Sequence, residues 1–123
     1  MVIMASGGIR TAFDVAKIIA LGADGAVMGT SELVALGCTR CGNCERGRGC
    51  PSGIATTDLF LMKQVNVEWG AQRVSNLYSS WKTQWHYILT RLGLRSIREL
   101  RPKAAVKFKD GRFSHIVHLD HLR

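Results

Sequence analysis

Four cysteines lie within 13 consecutive positions, with the spacing C-x2-C-x2-C-x5-C followed by a proline. A structural zinc site usually takes its ligands from two well-separated pairs of residues. Three cysteines at two-residue spacings and a later Cys-Pro are instead typical of ferredoxin-type loops, where glycines allow backbone N–H groups to turn towards the sulfurs. The spacing therefore favours an iron–sulfur cluster over a zinc ion, and over free or disulfide-bonded thiols, at Cys38, Cys41, Cys44 and Cys50.

Two glycine-containing turns form a second group of residues with chemical potential. Ser6-Gly7-Gly8 follows one short apolar run, and Gly29-Thr30 follows another, one helix later in the chain. Glycines let the backbone approach a ligand closely, and the helix that begins after each turn supplies free N–H groups and a partial positive charge. Glycines also end strands tightly without any ligand. The tandem arrangement favours a phosphate site between the two turns.

Strand, helix and strand are the elements expected to position these turns. The apolar runs 2–5 and 25–28 are short and continuous, which suits strands buried on both faces. Thr11 with Asp14 three residues later predicts a capping box and a helix start, and Gly22 is expected to end that helix. A βαβ unit of this kind builds a parallel sheet with a right-handed crossover. The sequence therefore predicts an α/β fold.

The chain divides into three segments by composition. Residues 1–37 contain the βαβ unit and close with a short helix over 31–36. Residues 38–53 carry all four cysteines and no apolar periodicity, so this loop cannot be ordered by a core of its own. Residues 54–123 are expected to form a helical extension that ends in a β-hairpin.

A long amphipathic helix dominates the third segment. Apolar residues recur at spacings of three and four from Val74 to Leu92, which predicts a helix that ends at Gly93. Trp81 and Trp85 lie on its apolar stripe, so we expect them to pack against the rest of the fold rather than to contact a ligand.

Shorter elements are expected beyond this helix. Ser96 begins a short helix, and residues 106–113 predict two strands around an Asp-Gly turn. Three histidines follow at every third position. Because alternate side chains of a strand face opposite ways, this spacing favours a polar surface over a zinc site at His115, His118 and His121.

Length and composition exclude several classes of protein. A complete parallel barrel needs about 250 residues, whereas this chain has 123. No apolar run approaches the roughly 20 residues that span a bilayer, and Met1 is not followed by a signal-peptide pattern. We therefore expect a cytoplasmic location with no membrane partner, where a reducing environment favours cysteines as metal ligands.

The net charge of +8 is unevenly distributed. Residues 1–37 hold two basic and three acidic side chains, residues 38–53 hold three and one, and residues 54–123 hold 12 and five. No RNA-binding aromatic motif accompanies the basic segment, so a nucleic-acid partner is not expected. A solvated face or a docking surface for an electron-donor protein is favoured.

The first segment resembles a known group of enzymes. Residues 5–11, 14–17, 21–24 and 28–30 are similar to the last two βα units of the flavin- and nucleotide-binding TIM (β/α)8 barrels. That group includes glutamate synthase, inosine monophosphate dehydrogenase, the hydroxyacid oxidases and the type 2 isopentenyl diphosphate isomerase. Its members share the phosphate motif, so this motif alone does not distinguish among them.

The cysteine loop distinguishes them. Residues 35–38 and 50–58, on either side of the loop, closely resemble the FMN-binding domain of glutamate synthase, and the resemblance covers roughly residues 2–100. It implies the C-terminal portion of the barrel, followed by an iron–sulfur loop and a helical extension. It also implies that the cofactor-binding residues are Ser6, Gly7, Gly8, Arg10, Gly29 and Thr30, with the two glycine turns on the FMN phosphate.

Three of the cysteines match the ligands of the family's three-iron cluster, namely Cys38, Cys44 and Cys50. Cys41 departs from the large bacterial and plant enzymes, and a fourth thiolate at this spacing could convert a 3Fe-4S site to a 4Fe-4S site. This pattern looks more like the shorter, archaeal-type glutamate synthases. Some relatives of that type act on methylated glutamate, which leaves the substrate open.

The resemblance implies an oxidoreductase of glutamate biosynthesis and ammonia assimilation. Reduced FMN would reduce 2-iminoglutarate, made from 2-oxoglutarate and ammonia, to glutamate. The expected partners are the remainder of the barrel, on the same or a separate polypeptide, and a ferredoxin or NAD(P)H-oxidising subunit. No catalytic residue is assigned, and two βα units cannot close a barrel. Two alternatives stay open: a small iron–sulfur or zinc module for electron transfer or protein interaction, and a fragment of a nucleotide dehydrogenase-like barrel.

Overall fold

A computed structural model describes residues 1–101, 106–107 and 113–114. The chain forms two compact units, one made of Met1–Met28 with the described residues from Trp81 onward, the other of Gly29–Ser80. The elements in chain order are β1 (Met4–Ser6), α1 (Ala12–Ala20), β2 (Gly25–Val27), α2 (Thr30–Ala35), α3 (Leu59–Met62), α4 (Val67–Leu92), a 3-10 helix (Ile97–Leu100), β3 (Val106–Lys107) and β4 (Phe113–Ser114).

The predicted βαβ unit is confirmed. β1 pairs with β2 in parallel, and the register places Met4 beside Gly25 and Ser6 beside Val27. Helix α1 connects the two strands and packs against β2. The chain is thus a small mixed helix and strand fold.

The prediction that these strands are buried on both faces is wrong. Met4 is 56% exposed and Val27 is 49% exposed, and Ile3 before β1 is also exposed. Among the residues that the structure describes, no second layer of helices or strands covers these side chains. Burial on both faces requires such a layer, which a two-stranded sheet with one crossover helix does not supply.

Helix α1 begins as the sequence predicts. Thr11 is its N-cap, and the Thr11 hydroxyl and the Asp14 carboxylate form a reciprocal capping box. Asp14 Oδ2 accepts hydrogen bonds from the backbone N–H groups of Arg10, at 3.1 Å, and Thr11, at 3.0 Å. The inner face of α1 supplies much of the core of its unit through Ala12, Val15, Ala16, Ile19 and Ala20.

The two tryptophans of the apolar stripe pack in this same unit. Trp81 is 4% exposed. Its ring meets that of Trp85 edge to face, with centroids 6.3 Å apart. Trp85 Nε1 donates a hydrogen bond to the carbonyl of Ala12 at 2.9 Å, so the indole binds the first turn of α1. The prediction that these residues pack within the fold is confirmed.

The carboxylate of Asp24 binds two segments of this unit that are far apart in the sequence. Its Oδ2 accepts a hydrogen bond from the backbone N–H of Ile3 at 2.8 Å. Its Oδ1 forms an ion pair with the guanidinium of Arg101, just after the 3-10 helix. One carboxylate therefore ties the entry to β1 to the end of the described helical region.

Helix α4 begins at Val67, seven residues before the predicted stripe. The side chain of Asn66 accepts a hydrogen bond from the backbone N–H of Trp69 at 2.8 Å, which satisfies a free donor of the first turn. Val67 and Trp69 are exposed, at 78% and 50%. Because the first turns of α4 bury no apolar face, the sequence carries no apolar stripe there that would predict the start of the helix. No helix in the described part of the chain is long and apolar enough to cross a membrane.

The C-terminal strands β3 and β4 pair antiparallel, with Val106 beside Ser114 and Lys107 beside Phe113. The predicted Asp-Gly turn and the predicted polar surface at His115, His118 and His121 lie outside the described residues.

The free energy of unfolding is expected to fall at acid pH through Asp14. Hydrogen bonds from the backbone of Arg10, and then from Thr11, hold the pKa of Asp14 below its ordinary value, against the opposing effect of desolvation. Because the folded pKa is the lower one, this stabilisation is present above the ordinary carboxyl range, and it is lost as the pH falls through the folded pKa.

Urea unfolding followed by circular dichroism tests this expectation with the variant Asp14→Asn. We expect the variant to be less stable by about 1 kcal/mol near neutral pH, with a difference that shrinks below about pH 4. A difference that stays constant with pH would contradict the role of the carboxylate charge.

Candidate functional site

All four cysteines line one cavity of about 260 Å³ within the unit Gly29–Ser80. Its wall also includes Thr30 and Leu33 from α2 and the residues that follow the last cysteine. The structure thus brings together the four predicted metal ligands and one residue of the second glycine turn. Across the described residues, no three cysteine, histidine or acidic side chains stand close enough to form a ready-made metal site.

Cys50 has the environment of a stabilised thiolate. It is 7% exposed. The backbone N–H of Ala55, followed by those of Ile54, Ser52 and Gly53, hydrogen-bonds the sulfur and lowers the pKa of the Cys50 thiol, although desolvation opposes the shift. Donors that converge on a sulfur stabilise negative charge, which is what a thiolate ligand of a metal cluster needs.

Cys38 receives a similar contact on the other side of the loop. The backbone N–H of Arg40 donates to Cys38 Sγ at 3.4 Å. Arg40 has a φ of 57°, a left-handed conformation that is uncommon for a side chain of this size. Cys41 and Cys44 are exposed. The residues present fit an iron–sulfur group, because all four cysteines line one cavity and backbone donors stabilise two of the sulfurs.

The two ends of the cysteine loop are held together. Ser52 Oγ donates to the carbonyl of Gly37 at 3.4 Å, which joins the residue before Cys38 to the turn after Cys50. Side chains as well as backbone therefore restrain a loop that lacks a core.

The first glycine turn has the backbone conformation that only glycine adopts readily. Gly7 and Gly8 have φ values of 98° and 67°. A Cβ at either position would meet nothing within 4 Å, so the space beside the turn is open. The N–H groups of Arg10 and Thr11, however, donate to Asp14. An anion at this turn would therefore be bound through the residues before Arg10, or through its exposed side chain.

The second glycine turn does not repeat this conformation. Gly29 has a φ of −148°, and it precedes α2, which is six residues long. Gly29 and Thr30 belong to one unit of the chain, whereas Gly7 and Gly8 belong to the other. The joint use of both turns for one phosphate stays a prediction.

A contact between α2 and α4 that no sequence pattern predicts holds α2 in its unit. The Tyr78 hydroxyl on α4 donates a short hydrogen bond to Glu32 Oε1 on α2, and this contact raises the pKa of Tyr78. Nearby on α4, the guanidinium of Arg73 lies 4.4 Å from the centre of the Trp69 ring. Glu32 and Tyr78 are 46 positions apart and share no motif, so no signal in a single sequence connects them.

Comparison with known proteins identifies the family. The family described as the conserved region in glutamate synthase matches residues 1–95, a stretch that contains both glycine turns and all four cysteines. The chain belongs to the glutamate synthase family.

Curated members of the glutamate synthase family match the same part of the chain. The archaeal-type glutamate synthase [NADPH] of Dehalococcoides mccartyi is 49% identical over 96 residues, which is 78% of this chain and 19% of that protein. The archaeal glutamate synthase [NADPH] of Methanocaldococcus jannaschii is 48% identical over 99 residues, 80% of this chain and 19% of that protein. The glutamate synthase [NADH] of Saccharomyces cerevisiae is 31% identical over 100 residues, 81% of this chain and 4% of that protein.

The chain spans about a fifth of the length of the archaeal-type glutamate synthases that it matches. Its identity to those two proteins is higher than its identity to the yeast enzyme. The higher identity agrees with the expected resemblance to the archaeal-type glutamate synthases. No solved structure matches the chain.

Proposed function

We propose that this chain is the iron–sulfur segment of a glutamate synthase-type oxidoreductase and carries part of its FMN site. One observation supports this proposal above the others: in a member of the glutamate synthase family, four cysteines line a single cavity. The backbone N–H groups directed at Cys50 and Cys38 suit a group that carries negative charge on its sulfurs.

The fold proposed for the whole enzyme is a TIM barrel whose last two βα units lie in this chain. The parallel pair of β1 and β2, connected by α1, is the arrangement that such units require. The exposed side chains of Met4 and Val27 would then contact the remainder of the barrel. That remainder is the first partner we propose.

In the proposed enzyme, Cys38, Cys44 and Cys50 hold the cluster, and Cys41 is available as a fourth ligand. A 3Fe-4S or 4Fe-4S cluster carries single electrons when it is bound. The left-handed turn at Gly7 and Gly8, with Ser6 and Arg10 beside it, is proposed to bind the FMN phosphate, together with Gly29 and Thr30 of the second turn.

The proposed reaction of the whole enzyme is the reduction of 2-iminoglutarate, formed from 2-oxoglutarate and ammonia, to glutamate. Electrons would come from a ferredoxin or an NAD(P)H-oxidising subunit. The names of the archaeal-type relatives specify NADPH, which favours the second source.

Two other functions are less well supported by the same observations. A nucleotide dehydrogenase-like barrel would use the glycine turns but gives no role to a cavity lined by four cysteines. A zinc-binding interaction module would use the cysteines but gives no role to the left-handed Gly7-Gly8 turn.

Anaerobic reconstitution of the chain with ferrous iron and sulfide tests the proposal. We expect about three or four iron and a similar number of sulfide ions per chain, with a broad visible absorption. A parallel sample incubated with zinc alone serves as the control. A chain that acquires no iron and sulfide in the first sample but retains one zinc ion in the second would contradict the cluster and support the module.

Titration of the reconstituted chain with FMN tests the flavin part of the proposal. The strands that would surround the flavin ring in the proposed barrel are not part of the two βα units. We therefore expect FMN to bind weakly, with a dissociation constant above about 1 μM. Sub-micromolar binding to this chain would contradict the expectation that the remainder of the barrel is needed.

A further inference from the structure

Helix α3 packs directly against the turn that follows Cys50. A Cβ added to Gly53 would overlap the carbonyl oxygen of Leu61, and it would lie 3.0 Å from the Leu61 carbonyl carbon and 3.2 Å from Val65 Cγ2. A Cβ on Gly49 would lie 3.5 Å from Leu61 Cδ1. The backbone of α3 therefore occupies the space beside Gly53 that any larger residue would need.

The turn held in this way closes directly on Cys50. Gly53 has a φ of 72°, and its N–H donates to the Cys50 carbonyl at 3.0 Å. The chain then continues through Ile54 and Ala55, which line the same cavity as Cys50. A shift of Gly53 would therefore displace both the turn at Cys50 and this part of the cavity wall.

Side-chain burial does not hold α3 in place. Leu59 and Phe60 are 75% and 76% exposed. A helix of four residues forms one turn, which is unstable without outside support. Capping supplies that support: Asp58 Oδ1 accepts hydrogen bonds from the N–H groups of Phe60, at 2.8 Å, and Leu61, at 3.1 Å.

Asp58 is itself oriented by its neighbours in the sequence. Its N–H donates to Thr56 Oγ1 at 3.1 Å, and its carbonyl accepts from the N–H of Met62 at 2.9 Å. The carboxylate therefore connects the segment after the cysteine loop to Leu61, the residue of α3 that lies against Gly53.

We propose that Asp58 is a positioning residue for the cluster: by capping α3 it holds Leu61 against Gly53, and so keeps the turn from Cys50 to Gly53 and the cavity wall at Ile54 and Ala55 in place beside Cys50. This inference rests on the proposed function, because it assigns the cysteine loop to an iron–sulfur cluster. Asp58 acts through α3 and does not ligate the metal.

The test compares three variants of the full 123-residue chain after anaerobic reconstitution. Asp58→Ala removes the cap, Asp58→Asn keeps an equally good capping oxygen, and Ser96→Ala removes the comparable cap of the 3-10 helix, where Ser96 Oγ accepts from the N–H of Arg98. The measurements are iron and sulfide content, the rate of iron loss to a chelator, and the visible circular dichroism of the cluster. Far-UV circular dichroism confirms that each variant is folded at the temperature used.

We expect Asp58→Ala to lose iron about fivefold faster than the unmodified chain, the size of effect expected for one lost helix cap. Asp58→Asn and Ser96→Ala should stay within about twofold of the unmodified chain. As a second variant, Gly53→Ala should change the visible circular dichroism in the same sense as Asp58→Ala, since it displaces the same contact from the other side.

Three results would overturn the inference. The first is a rate of iron loss in Asp58→Ala that equals the rate in the unmodified chain. The second is a rate in Asp58→Asn as high as in Asp58→Ala, which would indicate an effect of the lost charge, and the third is an equally high rate in Ser96→Ala, which would indicate an effect of general stability. If the unmodified chain binds no iron and sulfide at all, the proposed function itself fails, and the inference fails with it.

Discussion

Serine in place of Cys50 is expected to prevent stable assembly of the cluster in the reconstituted chain. Cys50 is buried, whereas Cys41 and Cys44 are exposed. Backbone N–H groups from the turn after it stabilise the thiolate form. A serine hydroxyl is neutral at the same pH and is a poor ligand for iron, so the variant loses the best-supported ligand of the set.

Iron retained after gel filtration is the measurement for this variant. Changes to groups that only support a ligand already cost about 10–100-fold in metal affinity, so loss of the ligand itself should lower retained iron at least about tenfold. Retention of iron close to the unmodified level would contradict the assignment of Cys50 as a ligand.

Cys41→Ser is the matched control, because it makes the same chemical change at an exposed cysteine of the same loop. We expect it to keep a cluster, held by the three cysteines that match the family's ligands. An oxidised three-iron cluster is paramagnetic, whereas an oxidised four-iron cluster is diamagnetic. Electron paramagnetic resonance of the unmodified chain and of Cys41→Ser therefore reports whether Cys41 supplies the fourth ligand. Complete loss of iron in Cys41→Ser would contradict the expectation that the other three cysteines hold a cluster without it.

Replacement of Trp81 by alanine is expected to lower the free energy of unfolding by about 3–5 kcal/mol. The indole is 4% exposed and meets Trp85 edge to face. Truncation removes a large apolar surface and leaves a cavity beside Trp85, whose indole N–H binds the first turn of α1. Since a domain has about 5–15 kcal/mol of stability in total, this variant should unfold at markedly lower denaturant concentration.

Trp69→Ala is the control for this second change, since it removes the same side chain from the same helix. Trp69 is 50% exposed, and the guanidinium of Arg73 stacks on its ring. An exposed contact of this type contributes about 0.5–1 kcal/mol. Equal losses for Trp69→Ala and Trp81→Ala, measured by chemical denaturation, would contradict the assignment of Trp81 to the core.

Features carried by neighbouring residues were predictable from the sequence. The capping box of α1 depends on Thr11 and Asp14, three positions apart, and the structure confirms it. The parallel pairing of the two apolar runs is also confirmed, because a strand, a helix and a strand with short turns leave few other arrangements. The match of residues 1–95 likewise confirms the family that the cysteine loop indicated.

Other features lay beyond the reach of sequence patterns. Helix α3 has four residues and three exposed apolar side chains, so it has no periodic pattern to recognise. The start of α4 at Val67 is also not predicted by a sequence pattern, because the first turns of this helix are exposed. The expectation of fully buried strands failed because burial depends on which other elements cover a strand, and the apolar character of its residues does not report this.

The sequence by itself determined the family, the set of four cysteines and the position of the Ser6-Gly7-Gly8 turn. Each depends on residue types at short spacings, where chain connectivity alone brings the groups together. Only the tertiary structure decided that Cys50 is the buried cysteine, that Glu32 binds Tyr78, and that Leu61 packs on Gly53. These facts depend on packing between separate elements, and packing is set by the shape and burial of many side chains at once.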